Sequence, residues 1–205
     1  RVVCIELDPR LPPILAETLA GFDNVEIVLG DVMEVDLAAL LAEHFAGMPV
    51  VVCANLPYNI TTPVLTVLLE SGQFASITVM IQREVALRMA SEPGNKAYGI
   101  LSVLIQAWYD VEYLFTVDEN VFNPPPKVKS AVIRMTRNKV TDLGCDEKLF
   151  KRLVKTVFNQ RRKMLRVSLK QMFPGVTPRE DFYTTDIMTK RPEQLTIQQF
   201  VELTN

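Results

Sequence analysis

Three short apolar runs open the chain, and each ends on a polar residue. Val2-Val3-Cys4-Ile5 runs into Glu6, Val25–Leu29 into Gly30-Asp31, and Val50-Val51-Val52-Cys53 into Asn55. Continuous apolar runs of this length suit strands buried on both faces, the habit of parallel sheets. Between them residues 11–20 and 37–45 carry helical spacing, and a helix over 63–70 leads to a fourth apolar run at 77–81. Strand and helix in alternation predict an open α/β sheet, in which ligands sit beyond the carboxyl ends of the strands. Glu6, Asp31 and Asn55 all fall at such ends.

The pattern changes further on. Residues 99–107 read as a helix, and 111–117 and 128–135 alternate as an antiparallel pair that closes the sheet. Residues 138–146 read as a linker. From 147 to 173 Phe150, Leu153, Val154, Val157, Phe158, Leu165, Leu169 and Met172 recur at helical spacing, while Lys151, Lys155, Arg162, Arg166 and Lys170 keep to another stripe. That predicts one helix with a core face and a cationic face. A Pro174-Gly175 break and an amphipathic segment over 193–203 complete a small helical domain. The expected division is therefore a catalytic domain over 1–138 and a helical domain over 147–205.

Charge sharpens this division. Residues 1–119 hold 5 Lys and Arg against 16 Asp and Glu, a balance of −11, and residues 120–205 hold 17 against 8, a balance of +9. The net charge of −2 hides that asymmetry, which predicts a polyanion as partner of the C-terminal part. The stretch from Phe150 to Phe173 holds no acidic residue, which favours phosphate contact over a merely solvated face. Lys127 and Lys129 would extend the basic strip towards Phe122.

The remaining composition mostly excludes. No apolar stretch approaches the roughly 20 residues of a membrane span, and no signal peptide is visible, so a soluble, cytoplasmic protein is expected. Cys4, Cys53 and Cys145 are odd in number and widely spaced, and read as small core residues in a reducing compartment. The single His44 has no ligand partners at metal spacing and reads as a surface or satisfied histidine.

The candidate chemistry centres on Asn55-Leu56-Pro57-Tyr58. An exocyclic amine on a nucleobase is a poor nucleophile, because its lone pair is delocalised into the ring. A catalyst must accept hydrogen bonds from both N–H groups and draw the nitrogen towards tetrahedral geometry. The Asn55 side-chain oxygen can accept one. The Leu56 carbonyl can accept the other, its direction restrained because a residue before proline is held extended. Pro57 has no competing N–H, and Tyr58 supplies a ring on which an unstacked base can lie. A Pro-containing turn after a strand is common, so the neighbours decide. Glu6 can accept from both hydroxyls of a ribose diol and Asp31 from the amino group of an adenine, which together outline a nucleoside cofactor.

With Glu6, Asp31 and the tetrapeptide in this order, the chain resembles class I (Rossmann-like) S-adenosylmethionine-dependent methyltransferases of the adenine-N6 type. Asn59-Ile60-Thr61-Thr62-Pro63 continues the motif as in the KsgA (RsmA) family of small-subunit ribosomal RNA adenine N6,N6-dimethyltransferases. Phe122-Asn123-Pro124-Pro125-Pro126-Lys127-Val128 resembles that family's Phe-x-Pro-x-Pro-Lys-Val segment, and Phe158 to Arg166 its C-terminal basic helix. The resemblance implies Asn55, Leu56, Pro57, Tyr58 and Phe122 as the catalytic set, with Phe122 covering the second face of the target base. Glu6, Leu7, Asp31, Val32 and Asn55 would hold S-adenosylmethionine, and Lys127, Arg161, Arg162, Lys163 and Arg166 the RNA. The implied partner is small-subunit ribosomal RNA or the immature small subunit, met by a monomer without metal or membrane. The family carries a strand and a glycine-rich loop ahead of its Glu strand. Their lack before Glu6 predicts a fragment, weaker cofactor binding and a sheet open or rearranged there.

Four rival readings remain at this point: a large-subunit RNA methyltransferase of the antibiotic-resistance type, a DNA adenine methyltransferase, a non-catalytic nucleic-acid-binding assembly or transcription factor on the same fold, and a nicotinamide-dependent oxidoreductase. The basic helix and the wording of the tetrapeptide favour the small-subunit enzyme. The oxidoreductase leaves the tetrapeptide unexplained.

Overall fold

The computed structural model describes residues 1–172 and 182–205, which form two compact units, Arg1–Val79 and Met80–Asn205. In the first, strands β1 (Val2–Glu6), β2 (Val25–Leu29) and β3 (Val50–Asn55) alternate with helices α1 (Leu11–Thr18), α2 (Leu37–Phe45) and α3 (Thr61–Ser71). Strand β4 (Phe74–Gln82) leads out of the unit. The expected βα alternation is thus present.

Local chemistry explains the boundaries. The Asp36 carboxylate accepts the Ala39 N–H at 3.0 Å and caps α2, whose Leu37, Leu41 and His44 lie on one buried face at i, i+4 and i+7. Helix α3 buries Thr61, Val64, Leu65 and Leu68 and stops at Gly72, whose φ of 63° is the left-handed conformation that glycine adopts without a Cβ penalty.

Strands β1 and β2 are parallel, with Glu6 opposite Leu29. They form a two-stranded sheet that does not include β3, which neighbours β4 instead. The first unit therefore holds two separate ladders, in line with the expectation of an open or rearranged sheet. Contrary to expectation, β3 is not buried on both faces: Val51 is 65% exposed, and Cys53 and Asn55 on the same face are exposed too. A strand side chain is buried only where another element covers its face, and the pleat sends every second residue to the other side. Cys53 is accordingly a surface thiol, not a core residue.

The second unit contains α4 (Arg83–Met89), α5 (Ile100–Gln106), β5 (Tyr109–Val117), β6 (Ser130–Arg137), α6 (Glu147–Asn159), α7 (Leu165–Met172), α8 (Asp186–Thr189) and α9 (Ile197–Thr204). β5 and β6 pair antiparallel from Tyr109 opposite Arg137 to Val117 opposite Ser130, with a bulge between Tyr113 and Phe115. The helices close over Phe150, Leu153, Val154, Val157, Leu165, Leu169, Met188 and Phe200. The rings of Tyr98, Phe158 and Phe200 run in series, with centroids 6.0 and 5.9 Å apart. The buried Tyr98 hydroxyl donates to the Leu195 carbonyl at 3.0 Å.

The basic segment corrects the expectation of one helix. α6 ends at Asn159 and α7 begins at Leu165, with a turn between in which the Lys163 N–H donates to the Gln160 carbonyl at 2.7 Å. The Leu165 N–H is taken by the Lys190 carbonyl at 2.9 Å, a distant acceptor in place of the i−4 carbonyl a continuing helix would supply. Phe173 and the Pro174-Gly175 break lie outside the described residues.

Candidate functional site

The first unit holds the strand-end residues. Asn55 is the last residue of β3 and is exposed, whereas the next side chain, Leu56, is only 7% exposed and anchors the turn in the core. The Pro57 carbonyl accepts the Thr61 hydroxyl at 3.0 Å and the Ile60 N–H at 3.2 Å, tying the turn to the start of α3. Tyr58 is half-buried inside that clamp. Burial of the leucine and two bonds to the proline carbonyl thus hold the residues between them, while the Asn55 carboxamide faces solvent.

Glu6 ends β1 and Asp31 follows β2 by two residues, and their strand ends are bound directly by the Gly30 N–H donating to the Glu6 carbonyl at 2.9 Å. One oxygen of each carboxylate is committed locally: Glu6 Oε1 accepts the Asp8 N–H at 2.8 Å, and Asp31 Oδ1 accepts the Met33 N–H at 2.9 Å. Among the described residues the other oxygen of each accepts no hydrogen bond. Two oriented carboxylates on adjacent strand ends fit a group that presents a diol and an amine. Leu7 is 62% exposed and Val32 half-buried, so both can offer apolar surface beside them.

In the second unit Phe122 is half-buried at the end of a 3₁₀ turn over Glu119–Val121, its N–H donating to the Glu119 carbonyl at 3.3 Å. Lys127 is exposed. Lys129 bonds Asp118 at 2.9 Å and lies 3.9 Å from Glu119, and the Asp118 bond holds its ammonium above the usual lysine pKa.

Arg162 and Lys163 lie on the turn between α6 and α7, and Arg166 in the first turn of α7; all three are exposed. Arg161 differs from them. Its guanidinium donates to the Asn95 carbonyl at 3.4 Å and lies 3.9 Å from Glu193, so part of its hydrogen-bonding capacity serves the fold. Lys151 and Lys170 sit over the rings of Trp108 and Tyr183 at 5.5 and 5.2 Å. The sequence carries no signal for these pairings, since each partner lies well beyond one helical turn along the chain.

The other polar candidates have structural surroundings. His44 is buried, with Nδ1 3.2 Å from Glu26, whose carboxylate also binds Arg1 at 2.8 Å. Cys145 is partly buried, and that burial, reinforced by Asp142, Asp146 and Glu147, pushes its thiol above the ordinary pKa and away from thiolate chemistry. Among the described residues no group of three His, Cys, Asp or Glu could hold a metal ion, and no helix is long and apolar enough to cross a membrane.

A family model described as ribosomal RNA adenine dimethylase matches residues 1–205, the whole chain. The chain belongs to that family. It is 54% identical over 201 residues to a protein of Parabacteroides distasonis, spanning 98% of this chain and 72% of the relative. It is 51% identical over 205 residues to one of Phocaeicola vulgatus, spanning 100% and 70%. Both relatives are named ribosomal RNA small subunit methyltransferase A. A crystal structure of a dimethyladenosine transferase from Plasmodium falciparum superposes with a TM-score of 0.80 over 99% of this chain and 80% of that one, at 23% identity. The 23S rRNA methyltransferase ErmE gives 0.70 over 100% and 82%, also at 23%. These likenesses show the fold, an α/β sheet with a C-terminal helical part. Membership of the dimethylase family separates the chain from the oxidoreductase and DNA methyltransferase readings.

Proposed function

We propose that this chain transfers methyl groups from S-adenosylmethionine to the N6 amine of adenines in small-subunit ribosomal RNA, two per nitrogen, during ribosome assembly in the cytoplasm. The observation that carries the reading is the Asn55-Leu56-Pro57-Tyr58 turn: an exposed carboxamide at a strand end, held by a buried leucine and a doubly bonded proline carbonyl. The names of the relatives support the substrate. In this reading residues 1–138 carry the chemistry and residues 147–205 attach the RNA.

The cofactor supplies an electrophilic methyl group when bound. Glu6, one of whose oxygens is taken by the Asp8 N–H, would accept from the ribose hydroxyls, and Asp31, one of whose oxygens is taken by the Met33 N–H, would accept from the adenine amine. The Asn55 side-chain oxygen and the Leu56 carbonyl each accept one N–H of the target amine, which localises the nitrogen lone pair. Tyr58 supplies a ring on which the target base can stack in place of a neighbour it leaves on flipping out, and the family resemblance assigns the other face of the base to Phe122. The methylated amine is a strong acid and gives its proton to water, so the chemistry asks only for positioning. Arg162, Lys163 and Arg166 hold phosphates of the RNA.

Asn55→Ala tests the assignment. It removes one of the two acceptors, and by analogy with loss of a single oriented hydrogen bond in other active sites it should slow transfer by about a hundredfold or more. RNA affinity and the unfolding midpoint should stay near wild type. Transfer at the wild-type rate would end the catalytic assignment of this residue.

A further inference from the structure

The second unit contains a cleft of about 250 Å³ lined by Gln82, Arg83, Glu84, Val128 and Lys129. Its walls are joined by the Arg83 N–H donating to the Lys129 carbonyl at 2.9 Å, so the start of α4 and the approach to β6 move together. Two of its three charges are already answered. Lys129 is held by Asp118 and Glu119, and Glu84 is paired with Arg88 one helical turn away. The Arg83 guanidinium is exposed, and among the described residues it has no ion-pair or hydrogen-bond partner. It also stands close enough to Lys129 to act against that ammonium's charge.

A cationic fork beside a second cation, with no anion of its own, fits a phosphate: the guanidinium offers two parallel N–H donors to two phosphate oxygens. The other walls suit the sugar beside it. The Gln82 amide can donate to or accept from a ribose hydroxyl, and Val128, 45% exposed, offers an apolar surface to the ring. The cleft is also tied to the base-stacking segment, because Asp118 and Glu119, which hold Lys129, are the cap and first residue of the turn that ends at Phe122. We propose that this cleft binds one sugar-phosphate unit of the RNA strand next to the target adenosine, with Arg83 on the phosphate. The inference rests on the RNA methyltransferase reading above and adds a contact within the second unit that lies outside the basic turn at 161–166.

The test compares the full chain with Arg83→Gln and Arg83→Lys for binding to a small-subunit ribosomal RNA transcript over a series of salt concentrations. Losing one phosphate contact should weaken binding by about tenfold near 0.1 M salt and reduce the slope of log affinity against log salt by about 1 for Arg83→Gln. Arg83→Lys should keep the wild-type slope and lose part of the affinity, since an ammonium cannot make the paired bonds. Inorganic phosphate at millimolar concentration and constant ionic strength should leave the gap between wild type and Arg83→Gln in place. Its disappearance would overturn RNA as occupant in favour of a free anion. An equal slope for wild type and Arg83→Gln, whatever the affinity, would overturn the cleft alone. Failure of the wild type to bind the transcript would overturn the function, and the cleft with it.

Discussion

The two units solve the burial problem to different degrees. In Arg1–Val79 only Ile77 and Val79 have no exposure, α1 has no buried residue, and Leu7, Ile14, Phe22, Leu29 and Val51 are all more than half exposed. In Met80–Asn205 Phe150, Val154, Val157, Leu165, Leu195 and Phe200 are all fully enclosed. Burial stabilises by roughly 25 cal/mol for each Å² of apolar surface removed from water, so the second unit carries the larger share of that stabilisation. The residues assigned to the cofactor and the target amine sit on the loosely covered unit. Those assigned to RNA phosphates sit on the well-packed one, where a cationic turn can be held rigid by the helices on either side.

That contrast can be broken most strongly by core truncation. Phe200→Ala removes a fully enclosed ring and should cost about 3–5 kcal/mol, whereas Ile14→Ala, at a position 56% exposed, should stay within about 0.5 kcal/mol. Urea unfolding of the two variants measures the difference, and equal costs would remove the distinction between the units.

A smaller effect is expected from replacing Arg162, Lys163 and Arg166 together by Ala. Binding to ribosomal RNA should weaken, and the slope of log affinity against log salt should fall by about 3 if each charge meets one phosphate. The unfolding midpoint should hardly move, since all three side chains are exposed. An unchanged slope would reduce the turn to solvated surface.

The mildest expectation concerns alkaline pH. Burial pushes the Tyr98 hydroxyl up to about 12, against an ordinary value of 10.0. The unfolded chain ionises first, so the stability from Tyr98 is fully present below pH 10 and is lost as pH rises through the window to about 12. Tyr98→Phe should be less stable than wild type at neutral pH, having lost the bond to Leu195, and should show a flatter decline across that window. Parallel stability curves would contradict the assignment.

Much of this architecture was legible where one local signal decided the outcome. Asp36 marks the start of α2 because its side chain caps the helix, and the alternation after Tyr109 gives the β5–β6 pair. The sequence carries no signal for helix α4: Arg83–Met89 is too short for its apolar residues to establish a period. The break between α6 and α7 was hidden because Gln160 to Met164 contains neither proline nor glycine, and Leu165 is claimed instead by the Lys190 carbonyl. Exposure of Cys53 and Val51 was illegible for a related reason, since an apolar run records what a strand can bury, not what covers it. At the site, motif residues at strand ends were readable from spacing. The committed oxygens of Glu6 and Asp31 and the tie of Arg161 to Asn95 and Glu193 were not, because they depend on backbone direction and on a residue 66 positions away.

Methyl transfer to the adenine amine through the Asn55 turn is open to direct measurement. The measurement that meets it most directly is incubation of the protein, beside Asn55→Ala, with immature small ribosomal subunits and a methyl-labelled donor, followed by digestion to nucleosides. Label should appear in N6,N6-dimethyladenosine with the wild type and be at least about a hundredfold lower with the variant. Label in another nucleoside, or equal label from both proteins, would contradict this reading.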